Sequence, residues 1–360
     1  MNDPFFTLSL SCCDVAPYLD ECFDSILSQS FADWECVVWV EASDDDTLAV
    51  VRRRTGNDPR FRVFTGPRTG SCSVSRNKGI ELARGKYVLF IDGDDCFAPD
   101  ALRRLRERIG EHPGMDVYAG ATRYFLHETG ETVRVLDNYP AGLDRELTGA
   151  EATFLRPDLW TISMLQLNAF RVGFLREGAF KCVVGLRGQD MEFFSRVLYR
   201  ARRVLPVHEA FYNYRVRENS VTTSRKSRLD SFYDHHARIY RSLLSFYAEV
   251  SREPGFDRRV AAYWAKAWVS RQIAFEWFRP KALDGIPRAR RVDALRALFA
   301  DGFDAFDRLR REGGFKTRLV GLWIKVFVKH PRLRGFSELF FRTYAALNRL
   351  KAKAGRRPRA

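Results

Sequence analysis

Short apolar runs alternate with amphipathic stretches along the first third of the chain, and this alternation is the strongest structural signal in the sequence. The apolar runs predict four buried strands, at residues 7–12, 36–40, 61–64 and 87–91. Apolar residues at helical spacing predict helices over about 19–27, 46–54, 73–84 and 99–109. Strands that alternate with helices are typical of α/β proteins, so the sequence predicts a Rossmann-like, mostly parallel sheet flanked by helices.

The remainder of the chain divides into segments with different patterns. Residues 116–224 mix strand-like and helical pieces, whereas residues 225–314 read as helical and are rich in aromatic residues and arginine. A strongly basic segment, 315–360, follows as a C-terminal helical extension. In open parallel sheets the ligand lies beyond the carboxyl ends of the strands, so we expect the loops after Cys12, Val40 and Ile91 to converge on one cleft.

Composition narrows the class of protein further. Hydrophobic residues make up 46% of the 360 positions, which fits a packed globular protein. The seven cysteines form no CxxC pair, so we expect them to be buried and reduced, as in a cytosolic protein. The sequence opens without the features of a secretory signal and has no apolar run of about 18 residues, which predicts a cytoplasmic protein that does not cross a membrane.

An acidic tetrapeptide, Asp92-Gly93-Asp94-Asp95, directly follows the fourth predicted strand. Its three carboxylates repel one another, and Gly93 lets the backbone turn tightly between them. A divalent cation, Mn2+ or Mg2+, held by Asp94 with help from Asp92, would relieve the repulsion and neutralise a diphosphate group. The structural alternative is an acidic turn that caps the next helix.

Four blocks of the sequence resemble those of family 2 glycosyltransferases, which have the GT-A fold. They occur in the family's order and lie at residues 9–31, 75–87, 188–196 and 211–222. The resemblance implies an inverting hexosyltransferase that moves a sugar from a nucleoside-diphosphate sugar to a glycan or lipid-linked acceptor, in cell-surface polysaccharide synthesis. It also implies that residues 1–115 bind the nucleotide sugar and that residues 116–224 hold the acceptor and the catalytic base.

The resemblance assigns the role of general base to Asp190 in the third block. The structural alternative is an acid at a helix start, satisfied by the helix dipole. On the donor side it points to Ser11 and Glu41 beside the nucleotide, together with the acidic loop. Arg76, early in a predicted helix that faces the same cleft, suits the diphosphate, although a solvated helix arginine is an equal alternative.

The fourth block implies a loop that closes near the donor and includes Arg215, Arg217 and Ser220. Some positions depart from the family pattern. Only the second of the family's two acids is present, as Glu41, and Ser11 stands where proline is common. Gln189 replaces the acid before Asp190. A UDP-sugar is the favoured donor, and these departures leave the identity of the base open.

The net charge of +15 is concentrated at the C-terminus. Residues 315–360 contain thirteen Lys and Arg and one acid, Glu338. Arg318, Lys325 and Lys329 share one face of a predicted helix, and the aromatic residues around them are Trp323, Phe327, Phe340 and Phe341. Basic amphipathic helices of this kind suit an anionic membrane surface, which predicts peripheral attachment to the inner face of the cell membrane. The alternative is that the aromatic residues pack on the protein body.

Two rival functions remain open from the sequence. One is a non-catalytic basic protein on the same fold that binds nucleic acid or a membrane, and it rests on charge alone. We expect no nucleic-acid partner, because the sequence has no helix-turn-helix, zinc-finger or RNA-stacking signature. The other is a nucleotidyltransferase, which would also use a carboxylate-bound metal.

Overall fold

The computed structural model of the chain describes residues 3–137, 139–156, 164–217, 232–273, 288–300 and 302–354. The chain forms two compact units, Met1–Ser224 and Arg225–Ala360. The first is an α/β unit built on one sheet, and the second is helical.

Four parallel strands form the N-terminal half of the sheet. These are β1 (Phe6–Cys12), β2 (Trp34–Glu41), β3 (Phe61–Gly66) and β4 (Tyr87–Asp92), in the order β3-β2-β1-β4. The helices between and after them are α1 (Ala16–Leu27), α2 (Thr47–Thr55), α3 (Ser73–Leu82) and α4 (Ala101–Glu111). The predicted strands and helices are all present. Helix α4 begins two residues after Pro99, because Asp100 adopts a left-handed backbone conformation with φ of 55°.

The second half of the same sheet is mixed. It contains β5 (Cys96–Phe97), β6 (Val117–Leu126), β7 (Thr132–Asp137), β8 (Asn168–Arg171) and β9 (Val204–Val216). Strand β8 runs antiparallel between β4 and β6, and β6 is parallel to β9. Helices α5 (Gly149–Phe154), α6 (Val172–Glu177) and α7 (Gln189–Arg200) complete this half. One sheet therefore continues across residue 115, so the two predicted halves share a single scaffold.

Two hydrophobic cores cover the two faces of the sheet, and strand β4 shows how the sequence separates them. Leu89 and Ile91 point to the core beneath α1, α2 and α4, whereas Val88 and Phe90 point to the core beneath α3 and α7. All four side chains are at most 2% exposed. A strand buried on both faces reads as an unbroken apolar run, which is why 87–91 is easily recognised in the sequence.

Glycine allows α3 to approach the sheet closely. A Cβ atom on Gly79 would lie 1.9 Å from the Oγ of Ser9 on β1. Contact at this distance leaves no room for a larger residue, so Gly79 fixes the depth at which α3 lies on the strands. The depth matters because the preceding turn of α3 carries Arg76.

The second unit contains only helices in its described part. They are α8 (Phe232–Val250), α9 (Arg258–Trp264), a π-helical segment (Ala265–Ile273), α10 (Arg288–Phe299), α11 (Phe303–Glu312), α12 (Phe315–Lys329), a 3-10 turn (Pro331–Leu333) and α13 (Arg334–Ala354). Trp264 and Trp268 stack at its centre with ring centroids 4.8 Å apart. Within the described ranges, no helix combines the length and the apolar character needed to span a membrane.

The basic segment forms the two predicted helices, but its aromatic residues face differently from the expectation. Phe327 and Phe341 are buried, at 0% and 2% exposure. Trp323 stacks on Phe340 with centroids 5.0 Å apart. The alternative of inward packing is therefore correct for Phe327 and Phe341, because both lie on helix faces that the helical unit covers.

Candidate active site

The loops after β1, β2 and β4 meet at one edge of the sheet, as the strand order predicts. The amide of Gly93, after β4, donates to the carbonyl of Ser11 on β1 at 2.9 Å. The amide of Asp44, after β2, donates to the Asp14 carboxylate at 2.8 Å. Arg68 binds the same carboxylate through two contacts of 2.6 and 2.7 Å. These contacts bring the loops together at the carboxyl edge of the sheet.

The three carboxylates of the acidic loop have separate protein partners. Asp94 accepts from the Nε and Nη2 atoms of Arg217 at 3.0 and 2.9 Å. Asp95 accepts from the Tyr212 hydroxyl at 2.6 Å and from the Arg215 amide at 2.7 Å. Burial raises the pKa of both carboxyls, and the neighbouring acids raise it further. The chain thus supplies its own charge compensation, which the sequence pattern alone did not indicate.

Asp92 differs from its two neighbours because one of its oxygens is buried without a hydrogen-bond donor. Its Oδ2 accepts from the Gln166 amide nitrogen at 2.6 Å, and Arg76 Nη2 lies 3.5 Å from the same oxygen. Its Oδ1 is buried without a hydrogen-bond partner, and so is the Oε1 of Gln166. A buried acceptor without a donor is costly, so these two oxygens mark a place for a ligand.

This donor set fits a hard divalent cation. Among the residues that the structure describes, no group of three or more His, Cys, Asp or Glu side chains could hold a metal by itself. Asp92 and Asp94 are the two carboxylates that could take part in binding such an ion, since Mg2+ is commonly held by one or two carboxylates with substrate phosphates as further ligands. Glycine at position 93 allows the acidic loop to pack closely on Val15, since a Cβ atom there would lie 2.9 Å from Val15 Cγ2.

Arg76 joins the acidic loop to the third sequence block. Its side chain is 2% exposed, so the alternative of a solvated helix arginine is wrong. One end of the guanidinium pairs with Asp190 at the start of α7, and the other faces Asp92. Burial lowers the pKa of Arg76, but Asp190 and Asp92 outweigh that effect and raise it well above its usual value. A charged bridge therefore spans the predicted base and the predicted donor site.

Asp190 lies at the first turn of α7, with a side chain 20% exposed. The opposite face of the helix is apolar as predicted, since Phe193, Phe194 and Val197 are buried. Burial raises the pKa of the Asp190 carboxyl, while Arg76 opposes the rise. The two other acids near these motifs already have protein partners. Glu192 pairs with Arg196 at 2.7 Å, and Asp95 accepts from Tyr212 and Arg215.

Ser11 and Glu41, which are predicted to lie beside the nucleotide, form hydrogen bonds with other residues of the protein. Glu41 is buried, and its carboxylate accepts from the amide of Thr69 at 2.8 Å and from its hydroxyl at 2.6 Å. The Ser11 hydroxyl lies 2.6 Å from that of Ser75 on α3. Glu41 therefore shapes the loop that follows β3, and its part in donor recognition stays a prediction.

Of the residues predicted in the donor-closing loop, Arg215 lies in a strand. It is the penultimate residue of β9, because β9 pairs with β6 as far as Val216. Its guanidinium donates to the Asp94 carbonyl at 2.7 Å and to Glu21 at 2.7 Å, which fixes it beneath the acidic loop. Arg217 follows the strand and also lies 4.7 Å above the Tyr18 ring. Ser220 lies outside the described residues.

Gln166 and Tyr212 are site residues that sequence reasoning missed. Tyr212 lies in the fourth block, but residues 211–213 of β9 are all buried, so no alternation of exposed and buried positions marked it in the sequence. Gln166 precedes β8 in a stretch without a recognisable pattern. Only the antiparallel placement of β8 beside β4 brings it to Asp92.

Known proteins resemble this chain in sequence. Residues 9–171 match the family model of glycosyl transferase family 2. An uncharacterized glycosyltransferase of Escherichia coli K12, YibD, is 26% identical over 228 residues, which are 62% of this chain and 65% of that protein. The match thus spans just under two thirds of that relative. The hyaluronan synthase of Pasteurella multocida is 34% identical over 148 residues, which are 41% of this chain and 15% of that protein.

The fold also matches solved structures. Residues 1–349 of Staphylococcus aureus TarS in complex with UDP align with a TM-score of 0.69 at 18% identity, covering 90% of this chain and 88% of that one. A TarS structure with UDP-GlcNAc aligns with a TM-score of 0.65 at 19% identity. At these identities the likeness concerns the fold alone, and it confirms the predicted GT-A architecture with C-terminal helices.

Proposed function

Since residues 9–171 match glycosyl transferase family 2, we propose that this chain is an inverting glycosyltransferase whose general base is Asp190. The observation that carries the proposal is the buried Arg76 bridge, which joins Asp190 to Asp92 of the acidic loop. It brings an acid suited to proton removal beside the carboxylates that would hold a metal ion for the diphosphate. A single displacement needs these two groups on either side of the anomeric carbon.

Asp190 removes the proton from an acceptor hydroxyl, and the resulting oxygen attacks the anomeric carbon of the donor. The bond from that carbon to the diphosphate oxygen breaks, and its electron pair leaves with the nucleoside diphosphate. A raised pKa makes the Asp190 carboxylate a stronger base than an exposed aspartate. Arg76 orients this carboxylate through its ion pair.

Asp94 and Asp92 are the residues that would hold a divalent metal. A Mn2+ or Mg2+ ion there would offset the negative charge of the departing diphosphate. Arg217 pairs with the Asp94 carboxylate in this structure. Its guanidinium is therefore close enough to provide a second positive charge, besides that of the metal ion, next to the phosphates. Ser11, Glu41 and Arg76 form the remaining donor side of the cleft.

A uridine nucleotide is the proposed donor, because the aligned TarS structures contain UDP and UDP-GlcNAc. The proposed acceptor is a glycan or a lipid-linked glycan. Two relatives support it by their names, the hyaluronan synthase of Pasteurella multocida and the minor teichoic acid biosynthesis protein GgaB of Bacillus subtilis. A nucleotidyltransferase or a non-catalytic basic protein would not need an acid such as Asp190 joined to the acidic loop through a buried arginine.

The decisive experiment compares transfer and donor binding in the same preparations. UDP-, GDP- and CMP-sugars are screened with Mn2+ for binding, for hydrolysis and for transfer to oligosaccharide acceptors. Asp190→Asn should retain donor affinity but lose about a hundredfold to ten-thousandfold in transfer rate, as expected for loss of a general base. Retained transfer by a folded Asp190→Asn protein would reject the mechanism.

A matched control is Asp116→Asn, which also removes an acid from a buried ion pair. Asp116 pairs with Arg171 at 2.7 Å, at the end of the sheet opposite Asp92. It should lower stability without a comparable effect on transfer by the folded fraction. An equal loss of transfer in both variants would indicate that ion-pair removal, rather than loss of a base, explains the result.

A further inference from the structure

Exposed apolar side chains are concentrated in the last two helices of the helical unit. Phe315 is 82% exposed and Phe336 is 66% exposed. Leu322, Leu333 and Leu339 also stand in solvent. We propose that these five residues, with the basic side chains around them, form a docking surface for an anionic lipid membrane. The proposal concerns where the protein works and does not depend on the reaction that it catalyses.

The geometry of α12 separates this surface from the core. Phe315 and Leu322 are seven residues apart and therefore lie on one face. The opposite face is formed by Val320, Ile324 and Phe327, all of which are buried. The helix is thus apolar on both sides, and only one side is covered within the helical unit.

Helix α13 repeats the arrangement. Phe336 and Leu339 are three residues apart and share an exposed face, while Ser337 and Phe341 are buried on the other side. Leu333, in the 3-10 turn between the helices, is also exposed, at 44%. The side chains that would enter a lipid interface are therefore different from the four aromatic residues named by the sequence pattern.

Basic residues border the apolar ones on the same faces. Arg318 lies one helical turn before Leu322 on α12, and Arg332 and Arg342 are exposed in the turn and on α13. The only acid of the segment, Glu338, is partly buried against Arg291 at 3.2 Å. Each Lys or Arg near an anionic leaflet strengthens binding to it. Charge complementarity thus selects a negatively charged partner.

Apolar exposure distinguishes a membrane from the other anionic partner, nucleic acid. Nucleic-acid interfaces are polar and use basic or stacking side chains. The three leucines cannot stack on bases and gain little there, whereas burial below lipid headgroups removes the apolar surface of all five side chains from water. The combination of apolar centre and basic border is typical of a helix that lies in the plane of a membrane interface.

The test uses the full-length protein and vesicles that contain either phosphatidylcholine alone or phosphatidylcholine with about a third phosphatidylglycerol. The apolar variant is Leu322→Gln with Phe336→Gln and Leu339→Gln. The charge variant is Arg318→Gln with Arg332→Gln and Arg342→Gln. Truncation at the start of α12 is unsuitable, because it would remove Ile324 and Phe327 from the core.

We expect the unaltered protein to sediment with anionic vesicles and to bind the neutral vesicles at least tenfold more weakly. Each triple variant should reduce partition to anionic vesicles at least tenfold. The charge variant should also have a weaker dependence on salt. A matched control, Val133→Gln with Val135→Gln, changes two exposed apolar residues on β7 and should bind normally.

Several results would overturn the proposal. These are absent vesicle binding, equal binding by the unaltered protein and both folded triple variants, or an equal loss in the β7 control. Binding of RNA or DNA that competes fully with vesicles would assign the surface to nucleic acid. Dimerisation without vesicles that the apolar variant abolishes would assign it to a second copy. Transfer to a soluble acceptor is measured in parallel, so failure here is distinguishable from failure of the proposed reaction.

Discussion

At the scale of single residues, adjacent acids in one tetrapeptide have different environments. The Asp94 side chain is 23% exposed and contacts the guanidinium of Arg217. Asp95 is 1% exposed, and its carboxylate accepts from the Tyr212 hydroxyl and the Arg215 amide. A ligand can reach Asp94 by displacing Arg217. It cannot reach Asp95 without breaking contacts that support the strand. The two acids should therefore respond differently to the same substitution.

Asp94→Asn should weaken sugar-nucleotide binding and remove its dependence on Mn2+, because an amide is a poor ligand for a hard cation. Isothermal titration calorimetry with and without EDTA measures both effects. Asp95→Asn is the matched neighbour and should chiefly lower the melting temperature, since it leaves the Tyr212 and Arg215 contacts weakened. If EDTA changes neither affinity nor turnover of the unaltered protein, the metal assignment is wrong.

The acidic loop also shows how far sequence reasoning extends at this scale. The order of strand and acids indicates where carboxylates gather, because that relation is local. Their partners at positions 76, 166, 212 and 217 are distant in sequence. No periodicity relates those positions to the loop. The prediction that these acids repel one another was therefore incomplete, because Arg76 and Arg217 lie beside Asp92 and Asp94 and offset part of their charge.

At the scale of elements, Asp307 joins α11 to α12. Its carboxylate contacts Arg310 and Arg311 on its own helix and Lys325 on α12, the last at 3.2 Å. Burial raises the pKa of Asp307, but the hydrogen bonds and charges of these partners lower it from 3.8 to about 2. Because the folded pKa lies below the unfolded one, the ion cluster stabilises the fold above about pH 4 and loses that effect as pH falls towards 2.

Asp307→Asn should accordingly lower the free energy of unfolding of the helical unit by roughly 2 kcal/mol at pH 7. The difference from the unaltered protein should shrink as pH falls from 4 and disappear near 2. Urea unfolding followed by circular dichroism at several pH values provides the measurement. Asp304→Asn, an exposed acid of the same helix, is the control and should change stability far less. A difference that is independent of pH would contradict the linkage.

Elements with strong periodicity were predictable, and those that depend on distant pairing were not. Strand β4 was evident because both of its faces are buried. The short strand β8 was not, since it is only four residues long and is defined by antiparallel pairing with β4 and β6. The basic helices were also evident, but helical spacing alone did not decide which of their two apolar faces is covered.

At the scale of the whole molecule, the proposed chemistry and the proposed docking surface belong to different compact units. The site residues lie within Met1–Ser224, and the docking surface lies within Arg225–Ala360. The two units each have their own buried core. Effects of substitutions that share no partner usually add within about 0.5 kcal/mol.

Combining Asp190→Asn with the apolar triple variant should therefore give additive effects. Vesicle binding should equal that of the triple variant, and transfer to a soluble acceptor should equal that of Asp190→Asn alone. Paired sedimentation and transfer assays on the four proteins complete the cycle. A coupling free energy well above about 0.5 kcal/mol would show that docking and catalysis communicate.

The contacts of Asp95 also have a consequence for biosynthesis. They join residues that are 117 and 120 positions apart. During translation, strands β1 to β4 emerge with the acidic loop long before Tyr212 and Arg215 leave the ribosome. The parallel strands can pair early, but the loop must wait for β9 to receive its partners, and contacts of such long sequence separation form slowly. The edge of the sheet that carries the acidic loop is thus expected to be the last part of the α/β unit to mature in the nascent chain.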